Sequence, residues 1–310
     1  MKKLFLFLSF NLFLLSFETN ILDDTIYNYY NDYINDRNVK VINNKDYFEN
    51  LKVTSKDVYS SKIKLIDKDT VNNHEELINM YYTIINKGYK NYTFYCSLDY
   101  TDCLSDIEKL DSDDAYFNLL NQLVSPFNSY ESISSIYSSN FKIEITVNNR
   151  YTNEDIERIN TEVDRLITTL KIDSYNSIYD KIKVFHDYLA EINKYDTVRE
   201  QTKTSEYHSD TAIGAFFEGH AVCNGYADAL QIFLDKIDVP NIKIANDTHV
   251  WNAIYLNNTW YHIDLTWDDP VTSDNSDIIL YDYFMITTEE LENKKTFEHD
   301  FNKEVYDFIN

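Results

Sequence analysis

Glycine is nearly absent from this chain, and most of the glycine it has is clustered. The 310 residues contain four glycines and three prolines, and Gly214, Gly219 and Gly225 lie close together around Cys223. Because glycine has no Cβ atom, it permits a left-handed backbone and the close approach of other groups. The cluster therefore predicts a sharp loop or a tight contact that fixes the position of a thiol.

The residues after the cysteine predict a helix. Apolar side chains recur with a helical period in 226–237, which predicts one buried stripe, and Pro240 ends the pattern. Cys223 is therefore expected at the helix start. Unpaired N–H groups and the helix dipole at that position stabilise a thiolate, and the same N–H groups could hold an oxyanion.

A β-hairpin is predicted downstream of this helix. Residues 249–256 and 259–267 have the composition of strands, and Asn257 and Asn258 between them suit a two-residue turn. In such a hairpin the numbers of two facing residues add up to 515. This register decides which side chains share a face, provided that the turn has two residues.

The register brings one histidine and one aspartate together. Trp251 faces Asp264, so His249 and Asp264 are diagonal neighbours on one face, within side-chain reach. A cysteine nucleophile needs a base, and the base needs a group that orients it. Cys223 as nucleophile, His249 as base and Asp264 as orienting group are therefore the predicted catalytic residues.

Other side chains near these motifs have candidate roles. Trp251 and Trp260 flank the same face of the hairpin, and we expect them to wall a substrate groove. Tyr207 and His208, upstream of the glycine loop, could supply a second oxyanion donor or line the groove. His220 is close to the thiol in sequence and is the alternative base.

The remaining histidines are expected to serve the fold. His262 is interpreted as a structural or rim residue, and His186 as a helix-packing or capping group. His74 and His299 are interpreted as surface residues.

Acidic residues give no metal pattern. Asp268 and Asp269 precede a proline and predict a turn. The run 105–114 lacks the central glycine and terminal glutamate of a calcium loop, so it predicts a solvated acidic face. No spacing resembles a zinc site. We expect neither a metal nor a cofactor.

Charge and composition limit the partners. The net charge is −24, from 28 basic and 52 acidic residues, and no basic cluster offsets it. Such a chain repels nucleic acid and anionic membranes, so nucleic-acid binding is not expected. A hydrophobic content of 44% is sufficient for a core, and the length suits two domains or one large domain with an extension.

The first residues resemble a secretory signal. Two lysines precede the apolar stretch 4–17, which is short for a membrane span. Residues 1–19 are interpreted as a signal peptide or an uncleaved anchor, and the protein as secreted or displayed on the cell surface. No other segment could cross a bilayer. Cys96 and Cys103 could form a disulfide, which leaves Cys223 without an obvious partner.

Periodicity divides the rest of the chain into three parts. Residues 20–73 are irregular and rich in Asn and Tyr, 74–150 suggest a small α+β domain, and 151–310 form the predicted catalytic domain. The patterns predict helices that end at Gly88 and that span 112–125, 156–170 and 178–192, and strands over 92–98 and 141–147.

Three blocks follow one another in compact order: Val222–Ala227 (VCNGYA), His249–Asn252 (HVWN) and Trp260–Asp269 (WYHIDLTWDD). Together they resemble the signature of bacterial transglutaminase-like domain proteins, in the papain-like cysteine protease/transglutaminase superfamily. The flanking stretches 179–196 and 281–291 resemble the helix before the cysteine and the strand and helix after the aspartate. The resemblance covers about 160 to 305.

The resemblance implies an α+β fold with a papain/transglutaminase-like core, in which the helix that carries the nucleophile packs on an antiparallel sheet. It also implies acyl transfer on amides through Cys223, His249 and Asp264. Asn224 and the stretch 245–247 depart from the family pattern, and these departures bear on substrate preference rather than on the three catalytic residues.

The predicted function is that of an exported transglutaminase-like cysteine peptidase that acts on a protein or peptide. Water as acceptor gives hydrolysis, whereas a lysine amine gives a crosslink. A protein-crosslinking transglutaminase is therefore one alternative. A non-catalytic surface binding module with the same fold is the other.

Overall fold

The structure, a computed structural model, describes most of the chain from Ile63 onwards. The described residues are 63–112, 119–138, 140–272, 278–303 and 306–309. The predicted signal or anchor at 1–19, and the irregular segment as far as residue 62, lie outside them. No helix in the described part of the chain is both long and apolar enough to span a bilayer.

A four-stranded sheet forms the amino-terminal part. In one of its central strands Ile143, Ile145 and Val147 are buried, whereas Glu144 and Thr146 between them are exposed, as in a sheet with one solvated face. The sheet order is β1-β2-β4-β3, and all neighbours except β1 and β2 are antiparallel. The elements are β1 (Thr70–Val71), α1 (His74–Asn86), β2 (Asn91–Cys96), α2 (Cys103–Ser112), β3 (Tyr130–Tyr137) and β4 (Lys142–Asn149).

This part differs from the sequence prediction in three ways. Strand β1 pairs with β2, so the end of the segment 20–73 belongs to the sheet. Helix α2 occupies most of the run 105–114, and it buries Ile107 and Leu110 beneath its acidic surface. Strand β3 was not predicted, and much of the predicted helix 112–125 lies outside the described residues.

Helices and a second sheet form the carboxy-terminal part. Four of its strands form an antiparallel sheet in the order β10-β9-β8-β7. The helices are α3 (Asn153–Thr169), α4 (Ile178–Ile192), α5 (Thr197–Thr202), α6 (Cys223–Lys236), α7 (Leu265–Asp268) and α8 (Thr288–Lys294). The strands are β5 (Lys194–Tyr195), β6 (His220–Ala221), β7 (Asn241–Ala245), β8 (Val250–Leu256), β9 (Thr259–Ile263) and β10 (Phe284–Thr287). The prediction of an α+β fold with a helix on an antiparallel sheet is confirmed.

Helix α6 lies at the centre of this part. It packs on β7 and β8, and on its other side the ring of Phe233 stacks 3.8 Å from that of Phe185 in α4. Every residue of Gly225–Leu234 is buried, so the prediction of a single buried stripe was too narrow. The polar residue Asp228 is tolerated there because Lys243 of β7 donates a hydrogen bond to it.

The register of the hairpin is the predicted one. Ala253 faces His262, and the pairing continues to the turn at Asn257 and Asn258, both of which have positive φ angles. Positive φ at both central residues is typical of a type I′ turn. The second strand is shorter than predicted, because it ends at Ile263 and the chain then enters helix α7.

Candidate active site

Cys223 is the first residue of helix α6, where the sequence places it. Its side chain is half-buried, and among the described residues it is the free cysteine, since Cys96 and Cys103 form a disulfide. The preceding residue, Val222, donates its backbone N–H to Ser209 O at 2.8 Å. The thiol therefore lies beside the N–H groups at the start of the helix. The backbone hydrogen bond of Val222 fixes the chain that leads into this helix.

The loop before Cys223 explains why glycine is needed there. A Cβ atom on Gly225 would lie 2.2 Å from Ser209 O, and one on Gly214 would lie 2.5 Å from His220 O. Gly219 has a φ of 68°, in the left-handed region. From the sequence, either the protein backbone or a bound substrate could be the group that lies close to Gly225. In the structure this group is the backbone carbonyl of Ser209.

His249 binds Asp264 across the hairpin. The Nε2 atom of His249 lies 2.5 Å from Asp264 Oδ2, and both side chains are buried. The backbone N–H of His249 donates to Asn246 Oδ1 at 2.9 Å, which holds the residue just before β8. Because Nε2 binds Asp264, Nδ1 is the ring nitrogen left for Cys223, whose thiol is near enough to contribute to the raised pKa of His249.

The electrostatics of this pair favour ionised forms. Burial by itself would lower the pKa of His249, but the charge of Asp264 and hydrogen bonds with Asp264 and Cys223 raise that pKa well above its usual value. Burial would likewise raise the pKa of Asp264, whereas the charge of His249 and hydrogen bonds from His249 and His299 hold it below its usual range. The favoured state is an imidazolium against a carboxylate.

His299 is buried beside Asp264, so its prediction as a surface residue was wrong. Its Nε2 atom lies 2.7 Å from Asp264 Oδ2, and only 4% of the residue is exposed. The 3₁₀-helical turn Phe297–His299, which follows α8, directs it inwards. No periodic pattern surrounds His299 in the sequence, so only the path of the chain after α8 reveals this contact.

His249, Asp264 and His299 have the composition of a metal site. One ligand atom from each lies within 4.8 Å of the other two, although the sequence spacing gave no such pattern. The two imidazoles, however, lie at hydrogen-bond distance from the same carboxylate oxygen. Ligands around a zinc ion, each about 2.0–2.2 Å from the metal, are held farther apart than this. The geometry therefore fits a hydrogen-bonded group.

The two tryptophans expected to wall a groove are buried, so that prediction was wrong. Trp251 stacks on His249 with ring centroids 5.8 Å apart and donates its indole N–H to His262 Nδ1 at 3.0 Å. Trp260 packs against Tyr255 and Phe308. The carboxy-terminal segment covers this face of the hairpin, and it converts the expected groove into core.

Tyr207 and His208 have other contacts than the predicted ones. The ring of Tyr207 stacks on that of His220 with centroids 3.9 Å apart. His208 is exposed and its Nδ1 lies 2.9 Å from a carboxylate oxygen of Glu218, while His220 Nδ1 lies 2.9 Å from the backbone oxygen of the same residue. A role for these side chains in holding an oxyanion stays a prediction.

Asp268 of α7 and His186 of α4 form a second buried pair. Asp268, predicted as a turn former, is the last residue of α7; it has no exposed surface, and its Oδ1 accepts the N–H of Tyr283. Burial raises the pKa of Asp268 to about 6, although His186, 3.3 Å away, opposes that rise. The interpretation of His186 as a packing residue agrees with its complete burial.

Tyr195 is a neighbour of the thiol that the sequence analysis missed. It lies in β5, where it pairs with Ala221, two residues before Cys223. Burial raises the pKa of Tyr195, and the charge of Cys223 raises it further. A protonated phenol therefore lies near the sulfur, a placement that depends on the pairing of two very short strands.

No protein-family model and no curated protein sequence matches this chain. Solved structures that are similar to it include the following two. The first, described as a TGase (transglutaminase), has 18% sequence identity and a TM-score of 0.33, over 50% of this chain and 48% of its own. The second, a proposed cysteine protease from Cytophaga hutchinsonii, has 12% identity and a TM-score of 0.27, over 48% of this chain and 64% of its own.

The chain thus spans about half the length of the first structure and less than two thirds of the second. The likeness is to a transglutaminase-like or cysteine-protease-like fold.

Proposed function

We propose that this chain is a cysteine-nucleophile acyl-transfer enzyme that acts on amides of proteins or peptides, as a transglutaminase-like cysteine peptidase. The observation that carries the proposal is the position of His249. It lies 2.5 Å from the carboxylate of Asp264, and the Cys223 thiol is near enough to contribute to its raised pKa. A thiol, an imidazole and a carboxylate in this order are the groups that thiolate acyl transfer requires.

Each of the three residues has a defined part in the reaction. The Cys223 thiolate attacks the amide carbonyl carbon, and the electron pair of the C=O bond moves to oxygen, near the N–H groups at the start of α6. The His249 imidazolium gives its proton to the nitrogen as the C–N bond breaks, which leaves a thioester on the sulfur. Asp264 holds the imidazole through Nε2, which leaves Nδ1 as the nitrogen that carries the proton in this proposal.

The thioester is then passed to an acceptor. His249 takes a proton from water, the resulting hydroxide attacks the thioester carbonyl, and the carboxylic acid leaves as Cys223 regains its thiolate. Hydrolysis is proposed over crosslinking because the motif resemblance favours a peptidase. A lysine amine in place of water would give the crosslink.

We also propose that the protein works outside the cytoplasm. The disulfide between Cys96 and Cys103 supports this proposal, because disulfides persist in oxidising compartments. The substrate would then be a protein or peptide at or beyond the cell surface.

Mass spectrometry of a peptide library tests the reaction. The library is incubated with the protein, with and without an added primary amine, and Cys223→Ala serves as control. Cleaved peptides in both incubations, and none with Cys223→Ala, are expected. Amine adducts without cleavage would contradict hydrolysis and favour a transglutaminase. Intact peptides, together with iodoacetamide labelling that is sluggish and unaffected by His249→Ala, would favour the binding module.

A further inference from the structure

The carboxylate of Asp264 accepts four hydrogen bonds, which fills the acceptor sites of its two oxygens. Oδ1 accepts the backbone N–H groups of Thr266 at 3.0 Å and Trp267 at 3.3 Å. Oδ2 accepts hydrogen bonds from Nε2 of His249 at 2.5 Å and from Nε2 of His299 at 2.7 Å. Three of these donors belong to the hairpin and the helix start that follows it. The fourth, His299, comes from a separate segment and has no step in the reaction proposed above.

The neighbours of His299 determine which of its nitrogens carries the proton. Its Nδ1 atom lies 2.9 Å from Thr296 Oγ1, and the hydroxyl of Tyr283 donates to the same Oγ1 at 3.5 Å. The hydroxyl hydrogen of Thr296 is then free to point at Nδ1. A neutral imidazole that accepts at Nδ1 donates at Nε2, which is the atom that faces Asp264.

Aromatic rings hold the His299 side chain in this orientation. The ring of Tyr283 stacks on it with centroids 4.4 Å apart and an interplanar angle of 14°. Trp251 and Trp267 meet it edge-on at 5.2 Å each. The imidazole cannot turn its Nε2 atom away from the carboxylate without displacing these rings.

We propose that His299 is a positioning residue of this site, which acts on the reaction through Asp264. It fixes the carboxylate that orients His249, so that the group works as a chain of four side chains from the Cys223 sulfur to the His299 ring. This inference rests on the proposed function. Without the His299 N–H, one carboxylate oxygen loses a donor, and the carboxylate becomes freer to rotate and easier to protonate.

Two substitutions at this position separate hydrogen bonding from packing. His299→Phe keeps an aromatic ring but removes the N–H, whereas His299→Gln retains an amide N–H in place of the Nε2 donor. In His299→Phe, kcat/KM is expected to fall about ten- to hundredfold through kcat. The acidic limb of its pH profile is expected to move to higher pH, because Asp264 takes up a proton more readily. His299→Gln should restore most of the activity and the position of this limb.

Equal losses in both variants with an unshifted pH profile would overturn the inference, as would a wild-type profile in His299→Phe. Should His299→Phe fail to fold, Thr296→Val replaces it, because it removes the hydroxyl that selects the His299 tautomer and retains the volume. The acidic limb of the Thr296→Val pH profile is likewise expected to move to higher pH, and an unmoved limb would count against the inference. His74→Phe, at an exposed histidine of α1, is the matched control and should behave as wild type.

Iodoacetamide labelling of Cys223 separates this inference from the proposed function, because it needs no substrate. Labelling should be slowed by His249→Ala and should show a shifted pH dependence in His299→Phe. If His249→Ala leaves the rate unchanged, the proposed function fails. If His249→Ala slows labelling but His299→Phe leaves its pH dependence unchanged, only the role of His299 fails.

Discussion

Asp264 sets the geometry of the candidate site because it belongs to two elements at once. It follows the last residue of β9 and caps the start of α7, so its Oδ1 atom binds the N–H groups of that helix. Aspartate at this position is ordinary helix-capping chemistry. Here the same carboxylate also binds His249, so the local stability of α7 and the orientation of the base depend on one side chain.

Asp264→Asn should lower the pKa of His249, because burial is then no longer opposed by a carboxylate charge. A histidine whose pKa is raised by folding adds stability that is fully present below its unfolded pKa of about 6.5 and is lost as pH rises through the folded pKa. The His249 contribution to the free energy of unfolding of the wild type should therefore decline above about pH 6.5. Asp264→Asn should lack this decline.

NMR titration of His249 and urea unfolding at several pH values measure both effects. Asp247→Asn, at an exposed aspartate two residues before His249, is the matched control and should leave the pKa of His249 unchanged. An unaltered His249 titration in Asp264→Asn would contradict the assigned cause.

Helix α6 is anchored by a buried ion pair as well as by apolar packing. Lys243 Nζ of β7 lies 2.5 Å from Asp228 Oδ1, and Tyr151 donates its hydroxyl to Asp228 Oδ2 at 2.6 Å. Both charged groups are almost completely buried. These contacts join α6 to strand β7 of the second sheet and to Tyr151, just before α3. They therefore help to fix the position of the helix that begins at Cys223.

Lys243→Met is expected to lower the free energy of unfolding by about 3–5 kcal/mol, because it leaves a buried carboxylate without its cation. The double variant Asp228→Asn with Lys243→Met should recover most of this loss, since no unpaired charge remains. Urea unfolding of both variants measures the difference. Lys236→Met removes an exposed pair with Asp164 and should cost no more than about 1 kcal/mol. A Lys243→Met loss no larger than that of Lys236→Met would contradict the argument.

The whole molecule combines separate hydrophobic cores with a large excess of negative charge. One core lies between the first sheet and α1, and another surrounds α6. The chain carries 52 acidic and 28 basic residues. Repulsion among so many like charges opposes the compact state, and dissolved salt screens that repulsion.

Added salt should therefore raise the thermal midpoint. The Debye length falls from about 30 Å at 0.01 M to about 3 Å at 1 M ionic strength, so repulsion across the molecule is screened first. A gain of about 1 kcal/mol would raise Tm by about 2–4 °C in a chain of roughly this size. Thermal melts in 0.01, 0.1 and 0.5 M NaCl test this. A Tm that falls with NaCl would show that attractive ion pairs outweigh the net repulsion.

The sequence by itself determined the features that depend on neighbouring residues. Two asparagines at a two-residue turn set the hairpin register, and the register brought His249 and Asp264 to one face. The apolar period after Cys223 placed the thiol at a helix start. These features follow from the fixed periods of strands and helices, which operate over a few residues.

Only the tertiary structure decided what the distant segments contribute. The reason for Gly225 is the carbonyl of Ser209, and the burial of Trp260 depends on Phe308. His299 turns inward to Asp264 although 35 residues separate the two. Such contacts arise where the chain returns to a surface already formed, and no local period specifies where an irregular segment will pack.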